Sequence, residues 1–377
     1  MKTATKRMAL AGAALLLTVG TLTACSNGAS STGGSSSGSS TGSSSGTASG
    51  KIGLLLPDNV TYRYAAQDKP LFEAKVKSLC PDCTVLYQNA AASASTQQTQ
   101  AQSMLTQGVK VLVLDAQDGK AAAQIVTLAK QRNVPVISYD RLVDSNDLAA
   151  YISFDNEKVG ELQATSLVNR MKQLNVPSGS GIIMVNGSPT DNNATYFKKG
   201  AHSVIDKSGY KVLAEYDTPD WLPAKAQSWA TSEISKLGAD KIKGVYAAND
   251  DTGAGVITAL QTAGVKNLPP VTGQDATLAG IQRILGGTQY MTVYKAPKPE
   301  AETAAEYAVD LLQGKKLDLS DTATSASGYK VPAKLFNPVA VTTDNIESTV
   351  IADGTYKVSA VCTTSALKSA CDKYGVK

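Results

Sequence analysis

Polar and charged side chains that could share one small ligand follow the apolar segments of this chain. They combine carboxylates, amides, cationic groups and aromatic rings, at Asp140, Asp250, Asp275, Asn193, Asn249, Arg63, Arg141, Lys295, Tyr64, Tyr139 and Trp221. A neutral sugar needs this mixture, because each hydroxyl both donates and accepts and can be shared between a carboxylate and a cationic or amide donor. The C–H faces of a sugar ring pack on aromatic rings. The residue types therefore favour a neutral ligand that is rich in hydroxyl groups.

The same side chains offer little for catalysis. The chain has one histidine, His202, which falls inside a helical pattern. The sequence contains no metal-ligand spacing, nucleophile elbow or phosphate-binding loop. Asp140 and Asp275 could serve as the paired carboxylates of a glycoside hydrolase, and this alternative stays open. We expect a protein that is not an enzyme and that uses no metal ion and no cofactor.

Short apolar segments alternate with helical patterns from Lys51 onward. The segments are rich in β-branched residues, which is typical of buried parallel strands, and lie at 52–56, 111–114, 134–137, 182–185, 245–247 and 291–294. Between them, one apolar helix face recurs at Ala122, Ile125, Val126 and Ala129. The alternation predicts an α/β chain with doubly wound parallel sheets. Ligands of such sheets bind beyond the carboxyl ends of the strands, where most of the polar residues lie.

Some of the flagged residues have an ordinary structural explanation. An aspartate after a strand is more often a helix N-cap than a ligand, and Asp155 and Asp251 are interpreted as N-caps. Trp221 could equally be a core residue. No single residue therefore establishes a ligand site at the strand ends, and the prediction of such a site rests on several of these residues together.

Residues 1–24 have the pattern of an export signal. Lys2, Lys6 and Arg7 precede an apolar segment, 8–19, that is too short to span a bilayer as a stable helix. Leu22-Thr23-Ala24-Cys25 resembles a lipobox, in which Cys25 receives a diacylglyceryl group and becomes the new N-terminus. An ordinary secreted protein is the alternative. Residues 25–50, mostly Ser and Gly, predict a lipidated flexible linker with a reach of about 25 to 30 Å.

Charge gives no reason to expect a nucleic acid partner. Removal of residues 1–24, with three basic and no acidic side chains, lowers the formal net charge from +4 to +1. We therefore expect contact with the membrane through the lipid anchor only. The expected location is extracytoplasmic, at the outer face of the cell membrane.

Four cysteines remain once Cys25 is assigned to the lipid. Cys80, Cys83, Cys362 and Cys371 allow three pairings. We favour Cys80 with Cys83 and Cys362 with Cys371, because each pair closes a short loop in an oxidising compartment. The first pair also matches the redox C-x-x-C pattern, but it precedes a strand instead of beginning a helix, which favours a structural role.

A longer motif carries a family resemblance. Residues 151–163, with the sequence Tyr-Ile-Ser-Phe-Asp-Asn-Glu-Lys-Val-Gly-Glu-Leu-Gln, resemble the segment that leaves the first domain in xylose-binding proteins of ABC-type sugar importers. Four further stretches agree in order, at 187–194, 249–250, 273–281 and 287–295. The resemblance covers about residues 51 to 354. It implies the type I periplasmic-binding-protein fold, with two doubly wound lobes joined by three hinge crossings.

The resemblance also implies where the lobes begin and end. The N-terminal lobe comprises 51–155 and 296–327, and the C-terminal lobe comprises 156–295 and 328–352. The crossings are expected near 154–157, 293–296 and 326–330. Residues 353–377 are expected to form a disulfide-closed tail, for which the family offers no counterpart.

The family's ligand-binding positions can be carried over one by one. They match Arg63, Tyr64, Asp140, Arg141, Asn193, Trp221, Asn249, Asp275 and Lys295, and Tyr64 stands where the xylose binder has tryptophan. The resemblance implies a monomer that binds a monosaccharide, with D-xylose ahead of glucose, arabinose and galactose, and delivers it to an ABC permease. A subunit that presents the sugar to a membrane receptor kinase would use the same pocket, and this alternative stays open.

Overall fold

The computed structural model describes residues 49–377. The predicted signal peptide at 1–24, the predicted lipidation site at Cys25 and nearly all of the predicted linker at 25–50 lie outside the described residues. No helix within 49–377 combines the length and the apolar character that a membrane span requires.

Twelve strands form the sheets of the described region. They are β1 (Lys51–Leu56), β2 (Thr84–Asn89), β3 (Val111–Leu114), β4 (Val136–Tyr139), β5 (Ala150–Phe154), β6 (Gly181–Asn186), β7 (Lys211–Asp217), β8 (Ile242–Ala247), β9 (Thr292–Tyr294), β10 (Asp321–Thr324), β11 (Lys330–Phe336) and β12 (Val339–Val341). One sheet has the order β10-β11-β5-β4-β3-β1-β2, another β7-β6-β8, and β12 pairs with β9. The pairs β10-β11 and β12-β9 are antiparallel, and the other strand pairs are parallel.

Helices cover these sheets. They are α1 (Lys69–Leu79), α2 (Ala94–Thr106), α3 (Ala123–Lys130), α4 (Asn156–Gln173), α5 (Asn192–Ile205), α6 (Pro223–Leu237), α7 (Asp250–Thr262), α8 (Leu278–Leu285), α9 (Pro297–Leu312), α10 (Val358–Val361) and α11 (Ser365–Tyr374). Strands and helices alternate over most of these residues, as the apolar pattern predicts, except at β4-β5, α7-α8, β10-β11-β12 and α10-α11.

The seven-stranded sheet defines the N-terminal lobe and is covered on both faces. Side chains alternate along each strand, so Leu55 packs with Met104 and Ile125 on the α2 and α3 side, whereas Leu54 packs with Phe72 on the α1 and α9 side. Every residue of β3 is buried, which explains why it forms a continuous apolar segment.

The sheet β7-β6-β8 defines the C-terminal lobe in the same way. Ile182 packs with residues of α4 and α5, and its neighbour Ile183 packs with residues of α6 and α7. Residues 271–275 connect β8 to β9 through a bridge between Val245 and Val271 and a 3.0 Å bond from Val293 N to Gly273 O. The predicted class, α/β with two doubly wound lobes, is confirmed.

One predicted crossing is misplaced. The third crossing was expected at 326–330, but β10 and β11 form a hairpin there, and β11 pairs with β5 as part of the N-terminal lobe. The chain therefore crosses after Phe336, and the N-terminal lobe extends beyond the predicted limit of 327. The alternation of exposed and buried residues in β11 is the sign of a strand that covers one face only, and a search for continuous apolar segments passes over it. The backbone N of Asp155 bonds to Phe336 O at 3.0 Å, so the first and third crossings lie side by side.

The two disulfides join Cys80 to Cys83 and Cys362 to Cys371, the pairing favoured from the sequence. The predicted tail packs on the C-terminal lobe, where Val361 and Cys371 share a core with Ile281 and Leu285 of α8. The tail is thus part of the packed lobe.

The helix caps agree with the sequence at one position and differ at another. Asp155 caps α4, with its Oδ1 accepting from Lys158 N at 3.0 Å. The cap of α7 is Asn249 and not Asp251. Strand β8 ends at Ala247, two residues before Asn249, and the Asn249 side chain accepts from Thr252 N.

Candidate functional site

A cavity of about 290 Å³ lies between the lobes, beyond the carboxyl ends of β4, β6 and β8. Both lobes contribute to its lining, which consists of Thr61, Tyr64, Asp140, Arg141, Asp191, Asn193, Phe197, Trp221, Asn249, Gln274, Asp275 and Lys295. Eight of the nine residues predicted to bind ligand belong to this lining, and Arg63 lies behind it. The structure thus brings the predicted residues together, and their contact with a ligand stays a prediction.

Asp140 follows β4 directly and has a φ of 52°, in the left-handed region that aspartate adopts more readily than most residues. Its carboxylate accepts a bond of 2.7 Å from the Tyr64 hydroxyl and lies 3.4 Å from Lys295 Nζ and 3.6 Å from Arg63 Nη1. Burial alone would raise the pKa of Asp140, but Lys295 and Arg63 hold it well below its usual value. Asp140 is therefore an anion that offers acceptor oxygens to the cavity.

Arg63 fixes the back of the site. Its Nε donates to Asp68 at 2.9 Å, and its Nη2 donates to Asp68 and to Glu300. The Tyr139 hydroxyl bonds to the same Asp68 carboxylate, so Tyr139 is also a supporting residue. Within the described part of the chain Nη1 has no hydrogen-bond partner, although it lies 3.6 Å from Asp140. One buried donor of Arg63 thus remains open beside the cavity wall.

Arg141 connects the two lobes. Its Nη2 donates to Asp58 of the N-terminal lobe at 3.0 Å, and its Nε lies 3.3 Å from Asp191 of the C-terminal lobe. The guanidinium carbon also lies 5.5 Å from the centroid of the Tyr64 ring, a cation–π distance. The charge of Arg141 is therefore balanced by carboxylates from both lobes.

Trp221 belongs to the cavity wall in the C-terminal lobe. Its Nε1 donates to Asp191 at 3.1 Å, and its ring meets the Phe197 ring edge to face at 6.3 Å. A Cβ atom at Gly187 would lie 2.0 Å from the Trp221 ring, so only glycine leaves room for it. The indole therefore presents its apolar surface in a fixed orientation.

Phe197 is positioned by the close approach of α4 and α5. A Cβ atom at Gly160 of α4 would lie 1.9 Å from the Phe197 carbonyl oxygen, so the absence of a side chain permits this packing. The Phe197 ring then reaches the cavity from a helix, beside Trp221.

Asp275 is the second carboxylate with a left-handed backbone, at φ 85°. It accepts from the Asn249 side chain and from Gln274 Nε2 at 3.2 Å, and it lies 3.8 Å from Lys295 Nζ. Burial raises the pKa of Asp275, and Lys295 opposes this rise. Because the Asn249 oxygen accepts from Thr252 N, the amide nitrogen of Asn249 is the group that is directed to Asp275.

Lys295 lies at the second crossing and faces carboxylates of both lobes. Its Nζ is 3.4 Å from Asp140 and 3.8 Å from Asp275, and it lies 5.8 and 5.6 Å from the Phe154 and Phe197 ring centroids. Burial alone would lower the pKa of Lys295, but Asp140 and Asp275 raise it. The ammonium group therefore stays charged and holds the two carboxylates near one another.

Asn193 reaches from α5 across the cleft. Its Nδ2 donates to the Asp140 backbone oxygen at 2.8 Å, and its Oδ1 accepts from the Tyr151 hydroxyl at 2.9 Å. Both partners belong to the N-terminal lobe. This predicted ligand residue therefore also joins the lobes.

Four lining residues were not among those predicted, namely Thr61, Asp191, Phe197 and Gln274. Asp191 has the pattern of an N-cap and does cap α5, but its second oxygen binds Trp221 as well. Phe197 lies on a helix, beyond the reach of a rule based on strand ends. It follows Asn193 by four residues, and this spacing places both on one helix face, which was the available signal.

Two other flagged residues lie away from the cavity lining. Asp250 is fully buried and accepts from Thr277 N at 2.7 Å and from Gln289 Nε2 at 2.6 Å, so it connects the start of α7 with the start of α8. His202 lies on the outer part of α5, with its ring nitrogens 3.0 Å from Asp206 and 3.3 Å from Glu215. Among residues 49–377 no group of His, Cys, Asp and Glu side chains is arranged to hold a metal ion.

Comparison with known proteins identifies the family. The model of the periplasmic binding protein domain matches residues 52–316. The D-xylose-binding periplasmic protein of Escherichia coli is 40% identical over 313 residues, which cover 82% of this chain and 92% of that protein. A multiple sugar-binding periplasmic receptor of Rhizobium radiobacter is 34% identical over 69% of this chain and 78% of its own length.

A solved structure agrees with these relatives. An ABC transporter solute binding protein from Clostridium phytofermentans, determined with bound β-D-glucose, matches with a TM-score of 0.75 and 29% identity. The match covers 82% of this chain and 99% of that one. With its two doubly wound lobes, its three crossings and a cavity between the lobes, this chain belongs to the periplasmic binding protein family and has the type I fold.

Proposed function

We propose that this protein binds a monosaccharide, most readily D-xylose, between its lobes and delivers it to an ABC-type sugar permease. The observation that carries this proposal is the cavity itself, in which each lobe supplies a carboxylate and an aromatic ring. Contacts with both lobes would let the ligand stabilise the closed arrangement, in which the lobes have rotated together about the crossings.

The enclosure of the cavity supports a single sugar ring. Its walls are closed, since Tyr64, Asn193 and Lys295 are each less than 5% exposed. A longer saccharide would need an open end, which these buried walls do not provide.

The pairing of charges supports a neutral ligand. Arg141 is balanced by Asp58 and Asp191, and Lys295 by Asp140 and Asp275. A phosphate or carboxylate ligand would have to compete with these buried carboxylates, at a large desolvation cost. A sugar hydroxyl can instead share them, accepting from a cation or amide and donating to a carboxylate.

The proposed roles of the individual side chains follow from their chemistry. Asp140 and Asp275 would accept from sugar hydroxyls, and Asn249, Gln274 and Lys295 would donate to them. The open Nη1 of Arg63 and the Arg141 guanidinium would add donors on the N-terminal side. Trp221, Phe197 and Tyr64 would face the C–H surfaces of the ring.

Relatives support D-xylose as the first sugar to test. The related proteins of Escherichia coli and Haemophilus influenzae are both D-xylose-binding, whereas the similar solved structure holds β-D-glucose. The two sugars differ by one hydroxymethyl group, which a pocket distinguishes by no more than about 1 to 3 kcal/mol if only packing is involved. The discrimination is therefore expected to be modest.

Isothermal titration calorimetry with D-xylose, D-glucose, L-arabinose and D-galactose tests the proposal, with D-glucuronate as a charged control. We expect D-xylose to bind well below millimolar concentration, the hexoses more weakly, and D-glucuronate not at all. Recovery of the sugar unchanged after incubation would also separate a binding protein from a glycosidase. If none of the aldoses binds better than millimolar, the proposal is wrong.

The proposed location rests on the N-terminal sequence. A lipid on Cys25 and the linker at 25–50 would hold the folded lobes outside the membrane and close to a permease. Mass spectrometry of the N-terminal peptide from membranes would detect the diacylglyceryl group. The Cys25→Ser variant should lose this modification, and an unmodified wild-type Cys25 would contradict the anchor.

A further inference from the structure

The backbone carbonyl of Asp140 has more donors than it can accept. The Tyr151 hydroxyl, the Ser153 hydroxyl and Asn193 Nδ2 each lie 2.8 Å from this oxygen. A carbonyl oxygen has two lone pairs, so one of the three donors must find another acceptor. The left-handed backbone of Asp140 turns the carbonyl towards this cluster.

The number of protons on each group shows which of the three donors does not bond to the Asp140 carbonyl oxygen. The Tyr151 hydroxyl has one proton and lies 2.9 Å from Asn193 Oδ1, for which it is the donor seen within residues 49–377. Ser153 and Asn193 can then fill the Asp140 carbonyl while Tyr151 donates to Asn193. Asn156 Nδ2 lies 3.2 Å from the Tyr151 oxygen and donates to it. In this arrangement the Asp140 carbonyl, the Tyr151 hydroxyl and both ends of the Asn193 amide are paired.

The cluster crosses the boundary between the lobes. Asp140, Tyr151 and Ser153 belong to the N-terminal lobe, whereas Asn193 is the second residue of α5 in the C-terminal lobe. Asn156 is the first residue of α4, directly after the first crossing. The two bonds of the Asn193 amide therefore exist only while the lobes are closed, and one of them depends on Tyr151.

Tyr151 is separate from the cavity lining. It is 3% exposed and lines a second cavity, of about 710 Å³, on the hinge side of the cluster. Burial raises the pKa of its hydroxyl, so the proton that it donates is retained. Tyr151 can thus influence binding through Asn193 without touching the sugar.

We propose that Tyr151 is a positioning residue that latches the closed lobes through Asn193 and the Asp140 carbonyl. The Tyr151 hydroxyl adds the same stabilisation to the closed form whichever sugar is bound, because Tyr151 is not among the residues that line the cavity. It also couples closure to the correct placement of Asp140, whose carboxylate faces the cavity. This inference rests on the proposed monosaccharide binding and names a residue that supports it.

The Tyr151→Phe variant tests the latch, because it keeps the ring and removes the hydroxyl. Asn193 Oδ1 is then left buried without its donor, which should weaken binding about 5- to 30-fold for every sugar that the wild type binds. The loss should appear as faster dissociation with an unchanged association rate, since the latch forms after the sugar enters.

Tyr210→Phe is the matched control. The Tyr210 hydroxyl donates to Val176 O at 3.2 Å, and both residues lie in the C-terminal lobe. This variant should bind each sugar as the wild type does and should show a comparable change in stability without sugar. Stopped-flow fluorescence and calorimetry on both variants give the rates and affinities.

Three outcomes would overturn the inference. They are an unchanged affinity of Tyr151→Phe, a loss confined to one sugar, and an equal loss in Tyr210→Phe. A wild-type protein that binds no sugar would instead refute the proposed function, together with the inference that rests on it. A uniform loss in Tyr151→Phe alone supports the latch.

Discussion

Asp140 and Asp275 present carboxylates to the cavity from opposite lobes, with Lys295 between them. Both have a left-handed backbone, at φ 52° and 85°. Such conformations cost about 1 to 3 kcal/mol and persist only where the surroundings impose them. The direction of each carboxylate is therefore set by its backbone conformation as well as by its hydrogen-bond and ion-pair partners. A fixed direction is expected for a side chain that binds a ligand in one orientation.

Replacement of Asp275 by alanine should weaken sugar binding by about 2 to 3 kcal/mol, because the Asn249 amide and the Lys295 ammonium lose the Asp275 oxygens beside the ligand. Calorimetry with D-xylose measures the change. Asp251→Ala is the control, since Asp251 lies in the first turn of α7 and is not among the residues that line the cavity. An Asp275→Ala variant with wild-type affinity would remove this residue from the proposed site.

The sequence predicts the residues that follow strands and is less informative about those that support them. Asp140 and Asn249 were found because they follow β4 and β8. Arg63 was carried over by resemblance, yet its partner Glu300 lies 237 positions away in the chain, and no local pattern connects the two. Phe197 was missed because its helix is positioned by packing against α4.

Helix α9 places a carboxylic acid beneath the site. Glu300, in its first turn, is completely buried and bonds to Arg63, which also binds Asp68. Burial raises the pKa of Glu300 to about 8, although Arg63 opposes the rise. The helix therefore carries a group that changes its charge near neutral pH.

Glu300 should make the protein less stable as the pH rises. Between its ordinary pKa of 4.5 and about 8, the unfolded chain has lost the Glu300 proton while the folded chain retains it. The folded state then binds more protons, so the free energy of unfolding falls, by at most about 1.4 kcal/mol per pH unit. Urea unfolding between pH 5 and 9 measures this slope.

Glu300→Gln should flatten this slope, because glutamine cannot ionise. Glu302→Gln, on the same helix and partly exposed, is the control and should retain the wild-type slope. Parallel curves for the wild type and Glu300→Gln would show that Glu300 is not the titrating group.

The hairpin β10-β11 shows where prediction of elements fails. The buried strands β1, β3 and β6 are continuous apolar segments and were predicted within one residue at each end. β5 is also buried throughout, yet it was not among the predicted segments. β11 is buried on one face, and β7 has exposed residues at a sheet edge, so neither has such a segment. The third crossing was misplaced for this reason, because its position depends on recognising β11.

The tail disulfide is expected to stabilise a local unit. Cys362 and Cys371 are separated by nine positions, and closing such a loop contributes about 2 to 3 kcal/mol in the chain-entropy view. The double variant Cys362→Ser with Cys371→Ser should speed amide exchange in α10 and α11. Its sugar affinity should be unchanged, because neither cysteine lines the cavity.

The pair Cys80 and Cys83 provides the comparison. It closes a loop of only three positions, so its removal should destabilise the protein less. Hydrogen exchange with mass spectrometry locates both effects. Exchange in the tail that is unaffected by loss of the Cys362–Cys371 bond would contradict the expected local role.

Residues 49–377 are in a closed arrangement, with the two lobes in contact around the cavity. Besides Asn193 and Arg141, Tyr196 of α5 donates to Thr324 O of β10 at 2.6 Å, and Gly119 N donates to Thr190 O at 3.1 Å. A ligand cannot pass through walls that are this buried. Binding therefore requires the lobes to separate first.

Sugar should therefore compact and stabilise the molecule. Small-angle X-ray scattering should show a smaller radius of gyration with D-xylose, because the free protein spends part of its time open. At a sugar concentration of 100 times Kd, the free energy of unfolding should rise by about 2.7 kcal/mol. D-glucuronate is the control ligand. Stabilisation without any compaction would contradict the hinge movement.

The closed cavity has a kinetic consequence for delivery. Because no wall of the cavity can admit or release a molecule by itself, the residence time of the ligand equals the lifetime of the closed lobes. A membrane partner that separates the lobes would shorten that residence time without contacting the ligand. The rate of ligand transfer would then depend on how the partner binds the outer surface of the lobes, and not on the contacts between the ligand and the cavity.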